Sequence, residues 1–208
     1  MAPAPDKIRV PQQSRAIQTR AAIVTAAERE FSENGYAGTT AKTIAKRANI
    51  ATGSFYQYFK DKDSVLHEIA ARRPLNLSDQ TVGDIERGMI DEPLQPEQVR
   101  TLLRTVVGIV VEYHRQDPGL HGVITERRHV DKALDRDMWT FELRLMDRAE
   151  GLLRVLNAGA DHKALAFILF ATMEGAVHAH VLGTPTVSDK RFVETLAEAL
   201  MNMVLPRG

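Results

Sequence analysis

Residues 39–62 read TTAKTIAKRANIATGSFYQYFKDK, and this stretch decides the fold. The pair Thr39-Thr40 offers an N-cap for a short helix over AKTIAKRA. Asn49 ends that helix, because asparagine tolerates the left-handed backbone conformation better than other non-glycine residues. A second short helix starts near the pair Thr52-Gly53. Two short helices joined by a tight turn predict a helix-turn-helix unit.

Four aromatic residues surround one glutamine in the second short helix, in the order Phe55-Tyr56-Gln57-Tyr58-Phe59. Phe55 and Phe59 are four residues apart and therefore share one helical face, which we expect to be buried. The opposite face, with Tyr56, Gln57 and Tyr58, is of little use to a core. We predict that this face meets a partner outside the protein.

Longer helices flank this unit on both sides. From Arg15 to Asn34, apolar residues recur at four-residue spacing, and Gly35 follows where a left-handed C-cap is expected. Another helix opens at about Asp61. The predicted core residues of the two flanking helices are Ile23, Ala27, Phe31, Val65, Leu66 and Ile69.

Composition excludes several classes of protein. The 208 residues contain no cysteine, which removes disulfides and zinc-thiolate sites. No run of eighteen apolar residues predicts a membrane span, and the polar, proline-rich residues 1–14 read as a flexible arm without a secretory signal. We therefore expect a cytoplasmic protein.

The formal net charge of zero hides an asymmetry along the chain. Residues 1–62 hold ten Lys and Arg against five Asp and Glu, or +5, and residues 63–208 hold seventeen against twenty-two, or −5. A basic N-terminal quarter favours a local anionic partner such as phosphate, although chance segregation of solvated charge gives the same count.

The stretch NGYAGTTAKTIAKRANIATGSFYQYFKDKDSVL, residues 34–66, resembles the DNA-binding region of the TetR (tetracycline-repressor-type) family of transcriptional regulators. The resemblance covers about residues 15–70. It implies a helix-turn-helix DNA-binding domain over residues 15–62 and a helical ligand-binding and dimerisation domain over residues 63–208. The matching residues are Phe31, Asn34, Gly35, Tyr36, Thr39, Thr40, Ile44, Ala45, Gly53, Phe55, Tyr56, Phe59, Lys62 and Leu66.

The resemblance also implies roles in binding double-stranded operator DNA. Hydroxyl groups and backbone N–H groups at a helix N-terminus suit a phosphate, and a glutamine can pair with adenine. The family often has a serine and a lysine where this chain has Ala51 and Thr52, so the serine cap is lost. The expected DNA contacts are Thr39, Thr40, Thr52, Gly53, Ser54, Tyr56, Gln57, Tyr58 and Lys62.

The remainder of the chain predicts an all-α body. Helices are expected at about 78–90, 96–116, 131–157, 161–182 and 188–204, with breaks at 117–119, 157–159 and 183–185. The helix over 161–182 is apolar nearly all round, and Phe192, Leu196 and Leu200 line one face of the last helix. The last two helices predict a homodimer interface of four helices, which the resemblance also implies.

Polar residues within apolar helices point to a pocket for a small, largely apolar effector. Glu174 lies in FATMEGAV, where a charge is costly unless it is paired or solvated, and His178 shares its face. The pair is either a ligand contact or a buried ion pair. The predicted effector contacts are Tyr113, His114, Trp139, Met146, Phe170, Glu174 and His178.

Other functions have weaker support from the sequence. Glu174 and His178 are spaced for a metal ion, but two ligands are too few, and His121 and His129 fall in an expected loop, so we predict neither metal nor cofactor. An enzyme using Glu174, His178 and His114 lacks a phosphate loop or a nucleophile–base motif. The main alternative is a DNA-binding protein that acts constitutively or with a protein partner.

Overall fold

The computed structural model describes residues 12–73, 95–156 and 161–205. Within these ranges the chain forms nine α-helices and no β-strand, which confirms the all-α prediction. Most of the arm, the helix expected at 78–90 and the break at 157–159 lie outside the described residues. The chain divides into two compact units, Met1–Ile69 and Ala70–Gly208, within the fourth helix.

The first unit holds the helix-turn-helix. Its helices are α1 (Gln12–Gly38), α2 (Ala41–Arg47), α3 (Thr52–Phe55) and α4 (Lys62–Arg72), the last of which continues into the second unit. The core residues expected from the sequence are all buried, together with Ile44 and Ala45 of α2.

Two residues with positive φ shape the first unit. Gly35 has φ 66° and ψ −178°, so α1 kinks there and continues for another turn, instead of ending in the expected left-handed C-cap. Glycine reaches this conformation without the penalty that a Cβ imposes. Asn49 has φ 56° directly after α2, which confirms its predicted role as the residue that ends this helix.

Ion pairs fix α2 against α1. The Arg47 guanidinium donates to Glu30 Oε1 at 2.5 Å and to Glu33 Oε1 and Oε2 at 2.7 and 2.5 Å. Hydrogen bonding to Arg47 lowers the pKa of the Glu33 carboxyl. Arg47 therefore holds α2 against α1, and its guanidinium is occupied by these two carboxylates.

After the end of α4, the described helices of the second unit run from α5 (Pro96–Gln116) to α9 (Asp189–Val204). Between them lie α7 (Lys132–Val155) and α8 (His162–Val181), each close to its predicted range. A further helix, α6 (Pro118–Arg128), occupies the segment that the sequence analysis assigned to a loop. Asp117 is its N-cap and accepts a hydrogen bond from Leu120 N at 2.9 Å.

The C-terminal helix α9 completes the core of the second unit. Its buried residues Leu196, Ala197 and Leu200 pack with Val107 and Val111 of α5. Ion pairs from Arg100 and Arg104 of α5 to Glu198 and Glu194 of α9 flank this contact. The apolar face of α9 that we expected at a dimer interface is therefore used within the chain.

Candidate DNA-binding surface and effector sites

The segment from Thr52 to Phe59 divides into a buried side and an exposed side, as the aromatic spacing predicts, but helix α3 ends at Phe55, with Tyr56 as its C-cap, instead of continuing to Phe59. Phe55 and Phe59 are buried, with ring centroids 6.0 Å apart, and the Arg20 guanidinium lies 4.6 Å from the Phe59 centroid. Tyr56 is 58% exposed and Gln57 is exposed, whereas Tyr58 is only partly so. The two buried phenylalanine rings hold this segment in place and leave Tyr56 and Gln57 accessible to a groove of DNA.

The N-terminus of α3 carries no side-chain cap. Ala51 is the N-cap residue and forms no side-chain hydrogen bond to α3, as its methyl group dictates. Thr52 and Gly53 follow with exposed positions, and Ser54 is partly buried. The first turn of α3 therefore presents exposed small residues, which suits a close approach of DNA to the backbone.

The two threonines before α2 have different roles. Thr40 caps α2: its Oγ1 accepts from Thr43 N at 3.1 Å, and Thr43 Oγ1 accepts from Thr40 N at 3.0 Å. Thr39 is 0% exposed, and its hydroxyl donates to Gly35 O at 2.7 Å. This geometry gives no support to the predicted contact between the Thr39 hydroxyl and a phosphate, because the residue is buried and its hydroxyl already donates to a carbonyl of the protein.

Lys62 is also committed within the protein. Its Nζ donates to Tyr36 O at 2.6 Å and to Thr39 O at 2.9 Å, and lies 3.8 Å from the Tyr36 ring centroid. We expected Lys62 to act as a phosphate clamp. Its ammonium group instead satisfies carbonyl groups at the end of α1, where a helix leaves its last acceptors unpaired.

Exposed cations that the sequence analysis overlooked lie on α2. Lys42 and Lys46 are both exposed and stand four residues apart, so they share one helical face. A signal was present, because the buried positions Ile44 and Ala45 leave Lys42 and Lys46 facing outward. Both are exposed, whereas the ammonium group of Lys62 contacts carbonyl groups of the protein.

The predicted effector contacts separate into three places in the second unit. Tyr113, His114, Glu174 and His178 come together, and His121 joins them from α6. Glu174 Oε1 lies 3.2 Å from His178 Nε2 and 3.4 Å from His114 Nε2. His121 was expected to be solvated in a loop, but it is buried on α6.

Electrostatics in this cluster, which we call the histidine cluster (His114, His121, Glu174 and His178), shift the pKa values of His121 and Glu174. Burial, reinforced by the neighbouring histidines, lowers the pKa of His121 to about 3. For Glu174, burial alone raises the pKa, but hydrogen bonding to His114 and His178 outweighs it and the pKa falls below its usual range.

Phe170 lies elsewhere, in the wall of an apolar cavity of about 200 Å³. The cavity is lined by α5, α7, α8 and α9, and its one charged lining residue is Arg148. Its other walls include Leu103, Val106 and Met173. This lining has the chemistry of a site for a small apolar molecule.

Trp139 and Met146 line a third place, an open groove of about 410 Å³ between α7 and α8. Trp139 is 42% exposed, and Phe167 of α8 lies in the same groove. None of the residues that line this groove belongs to the apolar cavity or to the histidine cluster. The expected single pocket is therefore absent from the described residues.

One face of α8 remains exposed and apolar. Phe167 and Ile168 are 52% and 48% exposed, and the small residues Ala171, Gly175 and Ala179 continue the same face. This helix has the length and hydropathy of a membrane span, which is weak evidence for one.

The fold and the exposed recognition helix define a helix-turn-helix DNA-binding protein with a helical C-terminal body. Family models agree: "Bacterial regulatory proteins, tetR family" matches residues 23–69, and "Tetracyclin repressor-like, C-terminal domain" matches residues 99–203. Together they cover well over half of the chain, which belongs to the tetR family of transcriptional regulators. Such proteins are DNA-binding regulators and not enzymes.

Individual relatives agree with this assignment. The transcriptional repressor AcnR of Corynebacterium efficiens is 28% identical over 168 residues, which are 74% of this chain and 89% of AcnR. The regulator HbdR of Aromatoleum sp. (strain CIB) is 49% identical over 49 residues, but the match spans only 24% of this chain and 21% of HbdR. A crystal structure of a TetR-family regulator from Mesorhizobium loti shares the fold, with a TM-score of 0.71, 18% identity and coverage of 90% and 96% of the two chains.

Proposed function

We propose that this regulator is a cytoplasmic homodimeric repressor that a small, largely apolar effector releases from its operator. The observation that carries the proposal is the cavity of about 200 Å³ whose lining is apolar except for Arg148. An apolar cavity within a regulator's body suits an uncharged or amphipathic small molecule. The relative AcnR is named a transcriptional repressor, which supports repression over activation for this protein.

DNA binding is assigned to the exposed side of the helix-turn-helix. Tyr56 and Gln57, which directly follow α3, are candidates for the major groove, and Lys42 and Lys46 of α2 for the flanking phosphates. The backbone at Thr40 stays in this set, since the capped N-terminus of α2 favours an anion. Thr52, Gly53, Ser54 and Tyr58 complete the proposed contacts.

Dimerisation is assigned chiefly to α8. Its exposed apolar face runs from Phe167 through Ala171 and Gly175 to Ala179, and the small residues allow close approach of a second helix. A two-fold dimer places two recognition helices in successive major grooves of a palindromic operator, about 34 Å apart. The distance between those helices is then the quantity that an effector changes.

Filling the cavity with a larger side chain tests whether the effector binds there. Val106 lines the cavity, and its neighbour Thr105 is exposed on the same helix. Operator fragments are first obtained by sequencing the genomic DNA that the pure protein retains. The fluorescent probe 1-anilinonaphthalene-8-sulfonate, competed by small apolar compounds, then reports cavity occupancy.

We expect Val106→Trp to lose competable probe binding while it retains the operator, and Thr105→Trp to behave as wild type. Equal probe binding by both variants would place the effector elsewhere. If no competing compound weakens operator binding by the wild-type protein, a constitutive or partner-regulated DNA-binding protein becomes the better description.

A further inference from the structure

We propose that His114, His121, Glu174 and His178 form a binding site for a divalent transition-metal ion, with Zn²⁺ the best match. The four residues lie on α5, α6 and α8, and their ligand atoms all fall within 4.8 Å of one another. Three imidazoles and one carboxylate form a nitrogen-rich donor set. Such a set favours zinc over magnesium and calcium, which prefer oxygen ligands.

The spacing between donors supports the site. Two donors bound tetrahedrally to one zinc ion are roughly 3.3–3.6 Å apart. Glu174 Oε1 lies 3.2 Å from His178 Nε2 and 3.4 Å from His114 Nε2. His121 Nε2 and His178 Nε2 are 2.9 Å apart, the distance at which two rings share one proton, so a metal would displace that proton and widen this pair by a few tenths of an ångström.

His114 supplies an independent indication. Its Nδ1 lies 2.7 Å from Val110 O, and because a carbonyl can only accept, Nδ1 carries a proton. In the neutral form of the ring, this tautomer directs the lone pair of Nε2 into the cluster. That atom is buried, lies 3.4 Å from Glu174 Oε1, and has no other polar contact among the described residues. A ligating histidine typically has its second ring nitrogen fixed in this way.

The other histidine on α8 is excluded from the site. His180 stands two residues after His178 and points away, and its Nε2 contacts Asp189 Oδ1 at 2.9 Å. In the sequence, only Glu174 and His178 have the spacing of metal ligands on one helix. In the structure, α6 adds a further ligand, because it buries His121 beside them.

A bound metal would join the junction of α5 and α6 to the middle of α8. Because unfolded chains lack a preformed set of these donors, binding would also stabilise the second unit. Neither effect requires an operator or an apolar effector, so failure of this proposal would leave the proposed regulatory function untouched.

The test uses the full-length chain without an affinity tag, freed of metal by a chelator. Zn²⁺ alone is titrated against a chromophoric competitor, and the thermal unfolding midpoint is recorded with and without Zn²⁺. We compare the wild type with Glu174→Gln and His178→Gln, which alter donors that are partly exposed, and with His129→Gln, which removes an exposed histidine outside the cluster.

We expect one Zn²⁺ per wild-type chain, a raised unfolding midpoint, and no displacement by Mg²⁺. Glu174→Gln and His178→Gln should each weaken zinc binding at least about 10-fold, whereas His129→Gln should not. Substoichiometric zinc, or equal affinity in all four proteins, would overturn the site. Cobalt in the wild-type protein gives a check that needs no variant: intense visible bands of a four-coordinate site are expected, and the weak spectrum of an octahedral ion would contradict it.

Discussion

Tyr56 and Gln57 are neighbours with separable roles. Tyr56→Phe removes only a hydroxyl, and we expect it to weaken binding to all DNA sequences alike, because a phosphate contact carries no base information. Gln57→Ala should instead relax the preference at one base position in each half-site, at a cost of about 1–3 kcal/mol. Affinities measured over a library of single-base operator variants distinguish the two. A base-selective effect of Tyr56→Phe would contradict the assignment.

Two lysines on the helix-turn-helix test which cations meet the DNA. Lys46→Ala should reduce the salt dependence of operator affinity by about one counterion for each half-site, because Lys46 is exposed on α2. Lys62→Met should instead destabilise folding by about 1.5–3 kcal/mol, because its ammonium binds carbonyl groups of the protein.

The measurements are the slope of log affinity against log salt and the free energy of unfolding in urea. A flattened slope for Lys62→Met, with stability unchanged, would restore Lys62 as a phosphate contact. An unchanged slope for Lys46→Ala would remove Lys46 from the interface.

In the helix-turn-helix, the sequence predicts which apolar side chains are buried, but it does not predict which groups the polar side chains bind. Phe55 and Phe59 follow from helical periodicity, and the φ of Asn49 follows from its residue type. The carbonyl acceptors of Lys62 belong to Tyr36 and Thr39, which are 26 and 23 residues away, and no local spacing rule records such a contact. The hydrogen bond from Thr39 to Gly35 spans only four residues, but residue type alone does not distinguish this use of a threonine hydroxyl from a capping role.

Among the helices, α6 is the one that the sequence analysis missed. Asp117-Pro118-Gly119 was interpreted as a break, although aspartate at the N-cap and proline in the first turn are both helix-start signals. The break lasts only one residue. The missed helix matters for the proposed metal site, because α6 places His121 in the histidine cluster and not in a solvated loop.

Asp117 should contribute measurably to the stability of α6. Asp117→Ala removes the acceptor for Leu120 N, and we expect a loss of about 1 kcal/mol in the free energy of unfolding. Asp117→Asn keeps a capping side chain and should retain most of the stability. Urea denaturation of the three proteins measures this, and equal losses for the two variants would indicate that the cap contributes nothing.

Helix α8 should govern assembly. Ala171→Arg places a charge in the centre of its exposed apolar face, and we expect the protein to become monomeric and to lose high-affinity operator binding. Thr105→Arg adds the same charge at an exposed position of α5 and should remain dimeric. Sedimentation and operator titration together decide, and a dimeric Ala171→Arg variant would move the interface away from α8.

For the whole molecule, effector and operator should oppose each other by equal factors. If an effector binds the cavity better when the recognition helices are misplaced, linkage requires the operator to weaken effector binding by the same factor. Couplings of about 1–3 kcal/mol would give roughly 5–150-fold effects. Effector titrations with and without saturating operator measure one side, and operator titrations with and without effector the other. Two unequal factors would show that the cavity does not act by this equilibrium.

The pairing of α9 with α5 has a consequence for synthesis on the ribosome. Arg100 and Glu198, which join the two helices, are 98 residues apart. The helix-turn-helix draws its contacts from a short N-terminal stretch, so it can fold while the rest of the chain is still being translated. The C-terminal core, in contrast, cannot close until its last helix leaves the exit tunnel. A nascent chain therefore holds a folded helix-turn-helix before it holds a folded C-terminal core, and a premature stop codon before α9 would release that helix-turn-helix attached to an open core.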